Sequence, residues 1–200
     1  MHPKFYNLSH QSPVGSAPGY GDWFIDLPTR VTQDFDPNGI GTMLPRWNPD
    51  VFAFHHFNRA GSGKITDFPS VIGNGWHCVS PRLMVTIMAV ADPVVESLPI
   101  RLRDSIGEQV IDGYQLLRYL GVVDAVDKKH SQLLDGEVDF ELHNGTTYYL
   151  DRVVLRRDRL LLPVCRIVGC EHLHVYREDV AQAIIGSGFS GLRFEEVEVV

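Results

Sequence analysis

Between residues 13 and 49 the chain places Pro13, Gly15, Pro18, Gly19, Gly21, Pro28, Pro37, Gly39, Gly41, Pro45 and Pro49. Proline has no amide proton and clashes with the preceding helical turn, and glycine is costly in a helix interior. Helices do not survive punctuation this close. Trp23, Phe24, Phe35 and Trp47 are interspersed, which is not the composition of a disordered linker. The segment therefore predicts an ordered coat of turns and short strands that pins its aromatic side chains onto a core. Residues 51–57 read as a short strand or a helical turn, and Gly61-Ser62-Gly63 marks a loop.

Beyond residue 76 the pattern changes. Ser80-Pro81 is a helix start, because serine caps free amides and proline fits the first helical position. Leu83, Val85, Ile87, Met88 and Val90 follow, and Asp92-Pro93 ends that helix. Residues 94–102 and 111–120 read as strands. In 135–142 the residues Asp135, Glu137, Asp139 and Glu141 alternate with Gly136, Val138, Phe140 and Leu142, the period of a half-buried strand. Asn144-Gly145 suggests a hairpin turn, with returning strands at 147–155 and 160–167. Residues 172–176 alternate as a strand, and Glu178-Asp179 suits the positive end of a helix. Gly186 and Gly188 can end that helix, and 192–200 reads as a terminal strand. These signals predict an α+β fold, a mixed or antiparallel sheet with a few short helices.

Two segments echo one another. Trp76-His77-Cys78-Val79-Ser80 leads into a helix and then Val95-Glu96-Ser97-Leu98. Leu173-His174-Val175-Tyr176-Arg177 leads into a helix and then Phe194-Glu195-Glu196-Val197. Aligning His77 with His174 sets Leu83 on Val180 and Ile87 on Ile184. Either the chain holds two pseudo-repeated strand–helix–strand units, or short units of this kind have converged. Two copies are too few for a solenoid.

The 200 residues suffice for a sizeable core without staples. A formal charge of −7 repels phosphate backbones, which argues against nucleic acid and favours a basic partner. The three cysteines form no even disulfide framework, which suggests a reducing compartment. The first residues have no apolar core of the signal-peptide kind, and no run is long enough to cross a membrane. The expectation is a cytoplasmic protein.

Candidate chemistry is sparse. Gly61-Ser62-Gly63-Lys64 lacks the spacing of a phosphate-binding loop, and Ile185-Gly186-Ser187-Gly188 is one position short of a nucleophile elbow. Cys170, His172 and His174 on one strand would point the same way, and with Cys165 nearby they form a weak zinc candidate. The competing reading is buried cysteine acting as a small apolar residue. His55-His56 and His77-Cys78 are neighbours that diverge on a strand. The acidic row Asp135, Glu137, Asp139 and Glu141 is the candidate partner-binding face, weighed against a merely solvated edge. Neither catalytic residues nor a cofactor are expected.

Several runs together carry a resemblance. They are Thr66-Asp67-Phe68-Pro69, Val79-Ser80-Pro81-Arg82-Leu83, Glu96-Ser97-Leu98-Pro99, Val122-Val123-Asp124-Ala125-Val126-Asp127 with Ser131, and Gly188-Phe189-Ser190-Gly191-Leu192-Arg193-Phe194. In order and spacing they resemble the eleventh immunity family of bacterial polymorphic toxin systems, formerly a domain of unknown function. The chain departs from that pattern at Val164-Cys165-Arg166 and at Arg177. The resemblance implies a cytoplasmic α+β protein that binds and neutralises a cognate protein toxin, and it implies no catalytic residues; the acidic balance of the chain adds the expectation that the toxin has a basic surface. The resemblance spans residues 66–200 and leaves 1–65 as a separate Gly/Pro-rich segment packed on the core. The alternatives are a small metal-dependent hydrolase using Cys170, His172 and His174, and a non-catalytic scaffold or oligomerising module.

Overall fold

The computed structural model describes residues 2–11, 23–26, 52–56, 65–72, 76–91, 94–104, 110–134, 148 and 150–200. Within them the elements run β1 (Phe5–His10), β2 (Trp23–Asp26), β3 (Phe52–His56), β4 (Ser70–Ile72), β5 (His77–Val79), α1 (Pro81–Ala91), β6 (Val95–Pro99), β7 (Leu102–Asp104), β8 (Val110–Ile111) and β9 (Gln115–Tyr119). They continue with β10 (Val122–Val123), β11 (Gln132–Leu133), β12 (Leu150–Arg152), β13 (Val154–Leu155), β14 (Val164–Ile167), β15 (Cys170–Arg177), α2 (Glu178–Gly186), β16 (Leu192–Glu196) and β17 (Glu198–Val199). The fold is α+β with mixed and antiparallel sheets. Among the described residues no helix is long and apolar enough to cross a membrane.

Both echoed segments form strand–helix–strand units, and they share one topology. β5 and β6 each run antiparallel to β9, which lies between them. β15 and β16 each run antiparallel to β1, which lies between those two. Each helix thus links two parallel strands across an intervening antiparallel one. The helices pack together. Leu83, Met84, Ile87 and Ala91 of α1 share one buried cluster with Val180, Ala181 and Ile184 of α2, and with Leu8 and Leu117 from the two middle strands. The aligned pairs Leu83/Val180 and Ile87/Ile184 therefore meet in a common core. Burying each such side chain is worth about 1.5–3 kcal/mol.

Each middle sheet is covered on both faces. In β1, Leu8 faces the helices while Phe5 enters a second cluster with Cys165, Ile167, Leu173 and Val175. In β9, Leu117 and Tyr119 face the helices while Leu116 joins Cys78, Leu98, Ile25 and Leu102 in a third. Two-sided burial explains why Val164–Ile167 is buried at every position rather than alternating. Arg118 lies within the sheet at 4% side-chain exposure, and its Nη1 pairs with Glu96 Oε2 at 3.1 Å directly across the ladder.

Four single-strand readings divide, among them 147–155, whose described part forms β12 beside β11 and β13 beside β17. The 94–102 strand splits into β6, which pairs with β9, and β7, which pairs with β3 in the β4-β2-β3-β7-β8 sheet. Pro99 withholds a ladder donor where they part. The 111–120 strand splits into β8 and β9. The 192–200 strand splits into β16 beside β1 and β17 beside β13. The boundary expected at residue 65 runs through both five-stranded sheets. β1 is interior to one, and β2 and β3 pair with β4 and β7 in the other.

Candidate functional site

The acidic row Asp135, Glu137, Asp139 and Glu141 lies outside the described residues. The Cys170, His172 and His174 set lies inside them, and the structure separates it. Ile167 pairs with Cys170, but the next residue, Arg166, pairs with His174, so residues 171–173 bulge out of the ladder. That bulge changes the side-chain parity along β15. Cys170 turns into the cluster of Cys165, Ile167 and Val175, whereas His174 lies on the opposite, helix-facing side beside Tyr119. The expectation that all three point the same way fails for this reason. Burial pushes the Cys165 and Cys170 thiols up to about 12. Among the described residues no three His, Cys, Asp or Glu side chains are placed to hold a metal ion.

His174 has a different companion. Its ring centroid lies 4.2 Å from that of His77, the residue the sequence echo aligns with it, and 4.4 Å from Tyr119. His77 and His174 line a groove of about 190 Å³ that also takes in His10 and His172. Asn7, Leu8 and Ser9 of β1 form one side. Phe68, Pro69, Ser70, Val71 and Trp76 form the other. The His174 amide donates to Asn7 Oδ1 at 3.2 Å, which ties β15 to that side.

A hydrogen-bonded chain leads from the groove into the core. His77 Nδ1 and Tyr119 Oη are 2.6 Å apart, and Tyr119 Oη and Tyr176 Oη are 2.5 Å apart. Burial lowers the His77 pKa to about 3 and raises both tyrosines, so all three are neutral at physiological pH. Cys78, the chain neighbour of His77, faces the opposite cluster, so the two form no thiolate–imidazole pair. The groove histidines come from three strands: His10 from β1, His77 from β5, and His172 and His174 from β15. The sequence singles out His172 and His174 as zinc candidates, but the signal that joins His77 to His174 is the echo aligning them.

A second feature is a latch at the start of α1. Asp67 Oδ1 accepts from Ser80 Oγ at 2.6 Å, and Asp67 Oδ2 accepts from the Ser190 amide at 3.0 Å and Ser190 Oγ at 2.9 Å. Ser80 Oγ in turn accepts from the Leu83 amide at 3.3 Å, which caps the helix. The Arg82 guanidinium sits 5.0 Å from the centre of the Phe189 ring. Gly191 has φ +82°, and a Cβ there would meet Thr66 Oγ1 and the Phe68 carbonyl oxygen, at 2.8 Å for the latter. Only glycine fits that approach. A third motif is a turn: the Ser131 amide donates to the Asp127 carbonyl at 2.8 Å, and Ser131 Oγ accepts from the Val154 amide at 2.9 Å.

Set against known proteins, the chain matches no family model and no curated protein.

Proposed function

We propose that the protein is a cytoplasmic immunity protein: a non-catalytic binder that neutralises a cognate bacterial toxin by covering its active site or blocking substrate access. The observation that carries this reading is the latch. Three runs of the resemblance to the eleventh immunity family share one hydrogen-bonded unit: 66–69 and 79–83, which are near neighbours in sequence, and 188–194, more than a hundred residues away. The run ending at Ser131 is likewise absorbed in a turn. Motifs consumed in this way specify a scaffold, and they leave the partner-binding surface free to differ between relatives.

The charge of −7 supports a basic partner, drawn in by long-range attraction. A tight complex of this kind buries roughly 800 Å² on each side. The acidic row at 135–141 is the proposed docking face. The test is co-expression with the toxin encoded beside it. Restored growth is expected, with association slowing steeply as salt rises. Growth arrest that persists despite soluble, folded protein would sink the reading.

A further inference from the structure

We propose that the groove between β1, β4, β5 and β15 is a binding site for one neutral, planar, hydrogen-bonding ring, the chemistry shared by a free heterocycle and a tyrosine side chain. The proposal stands on the groove alone and holds whether or not a toxin is the partner.

Size comes first. A volume of about 190 Å³ is slightly more than the roughly 150 Å³ that encloses a benzene, so the groove takes one ring with its substituents. The walls come next. Phe68, Trp76 and His174 are 3%, 5% and 1% exposed and present ring edges to the groove, while the half-buried His77 presents more of its ring. These suit the offset and edge-on contacts that aromatic groups prefer. The charge of the lining is the third argument. In a chain with a formal charge of −7, the described residues lining this groove include no carboxylate, lysine or arginine. A charged ligand would meet imidazoles but no carboxylate, ammonium or guanidinium among the described lining, and would bear most of its desolvation cost.

The polar contact is set by the buried chain. With Nδ1 engaged by Tyr119, His77 keeps Nε2 for a ligand. If Tyr176 donates to Tyr119 and Tyr119 to His77, then Nε2 carries the proton and donates. If both hydroxyls rotate the other way, His77 Nδ1 donates to Tyr119 and Nε2 accepts. The Tyr119–Tyr176 pair makes this a two-way reader of a ring edge, at the cost of moving the imidazole proton from Nε2 to Nδ1 by exchange with water at the groove and rotating two hydroxyls, with no change in net charge. Tyr119 and Tyr176 act as positioning residues.

Calorimetric titration of the full chain with uracil, phenol and N-acetyl-tyrosinamide tests this, with benzoate and benzamidine as charged controls. At least one neutral ring should saturate below about 10 mM, with the charged rings at least about tenfold weaker. A preference for uracil would indicate a free heterocycle as the natural occupant, and a preference for N-acetyl-tyrosinamide a protein side chain. His77→Phe keeps a ring but removes its nitrogens, and should weaken the hydrogen-bonding probes about tenfold. Tyr119→Phe cuts the relay without touching the groove. It should weaken uracil and phenol severalfold, and it carries the test if His77→Phe does not fold. Val85→Ser, on the exposed side of α1, should change nothing. The proposal is overturned if no neutral ring saturates, if charged rings bind equally well, or if both variants that alter the relay bind as the parent does.

Discussion

In the unit built on β5, α1 and β6, the strand between the two parallel strands is β9, which follows a short way down the chain. In the unit built on β15, α2 and β16, that place is taken by β1, from the opposite end of the sequence. The middle strands are otherwise equivalent, each sending one leucine, Leu117 or Leu8, into the shared helix cluster. The first unit closes through local contacts and the second only after the termini meet. Non-local pairing is the slower event because loop entropy is lost before contacts form. The histidines differ as well: His77 is half-buried at the groove, whereas His174 is 1% exposed. The topology is thus indifferent to chain order. It needs a strand of the right polarity and register, whatever its origin.

The largest test of that difference is removal of residues 2–11. β15 and β16 would be left about 10 Å apart, too far to pair with each other. The truncated chain should lose its near-ultraviolet circular dichroism and its cooperative urea transition. A cooperative transition with an unchanged midpoint would mean the second unit does not need its middle strand.

Next in size is a double-mutant cycle across the helix pair. Ile87→Ala and Ile184→Ala, both fully buried, should each cost about 2–5 kcal/mol in urea melts. Because they line one cluster, the double variant should depart from the sum by about 0.5 kcal/mol or more. Strict additivity would mean that the units have separate cores and that the symmetry is only topological.

The histidine difference gives a pH test. The folded-state pKa of His77 is lowered to about 3 from the ordinary 6.5. Between those values the unfolded chain binds a proton there that the folded chain does not. Stability is therefore fully present above pH 6.5 and falls as pH drops towards 3, by up to about 1.4 kcal/mol per pH unit. In His77→Phe the part of the slope between pH 6.5 and 4.5 that His77 supplies should vanish. An identical slope in both proteins would show that His77 is hydrated and free to charge.

Both helix starts were legible in the sequence. Ser80-Pro81 and Glu178-Asp179 act locally, and α1 and α2 begin beside them. The echo was legible too, because helix and strand periods leave a mark in any window. The source of the middle strands left no such mark, since a six-residue strand such as Phe5–His10 does not encode its partner. The parity of β15 was misread because alternation assumes an unbroken ladder, and the bulge at 171–173 depends on pairing with β14. The groove and the latch were hidden for the same reason. Asp67 and Ser190 meet across 123 residues, and the groove histidines across three separate strands.

The smallest effect separates the two helix starts. Ser80 Oγ caps α1 and also donates to Asp67, whereas Arg177 makes no side-chain cap to α2. Arg177 instead grips Asp179 through two bonds of 2.7 Å, its Nε to Oδ1 and its Nη2 to Oδ2, with the side chains 35% and 61% exposed. Ser80→Ala should therefore cost about 1–2 kcal/mol and be insensitive to salt. Arg177→Ala should cost about 0.5 kcal/mol or less and fade as sodium chloride rises, because exposed ion pairs are screened. The reverse order would place the stronger anchor at α2. In that case Glu178 and Asp179, through the field at the helix end rather than a capping hydroxyl, would start the second unit.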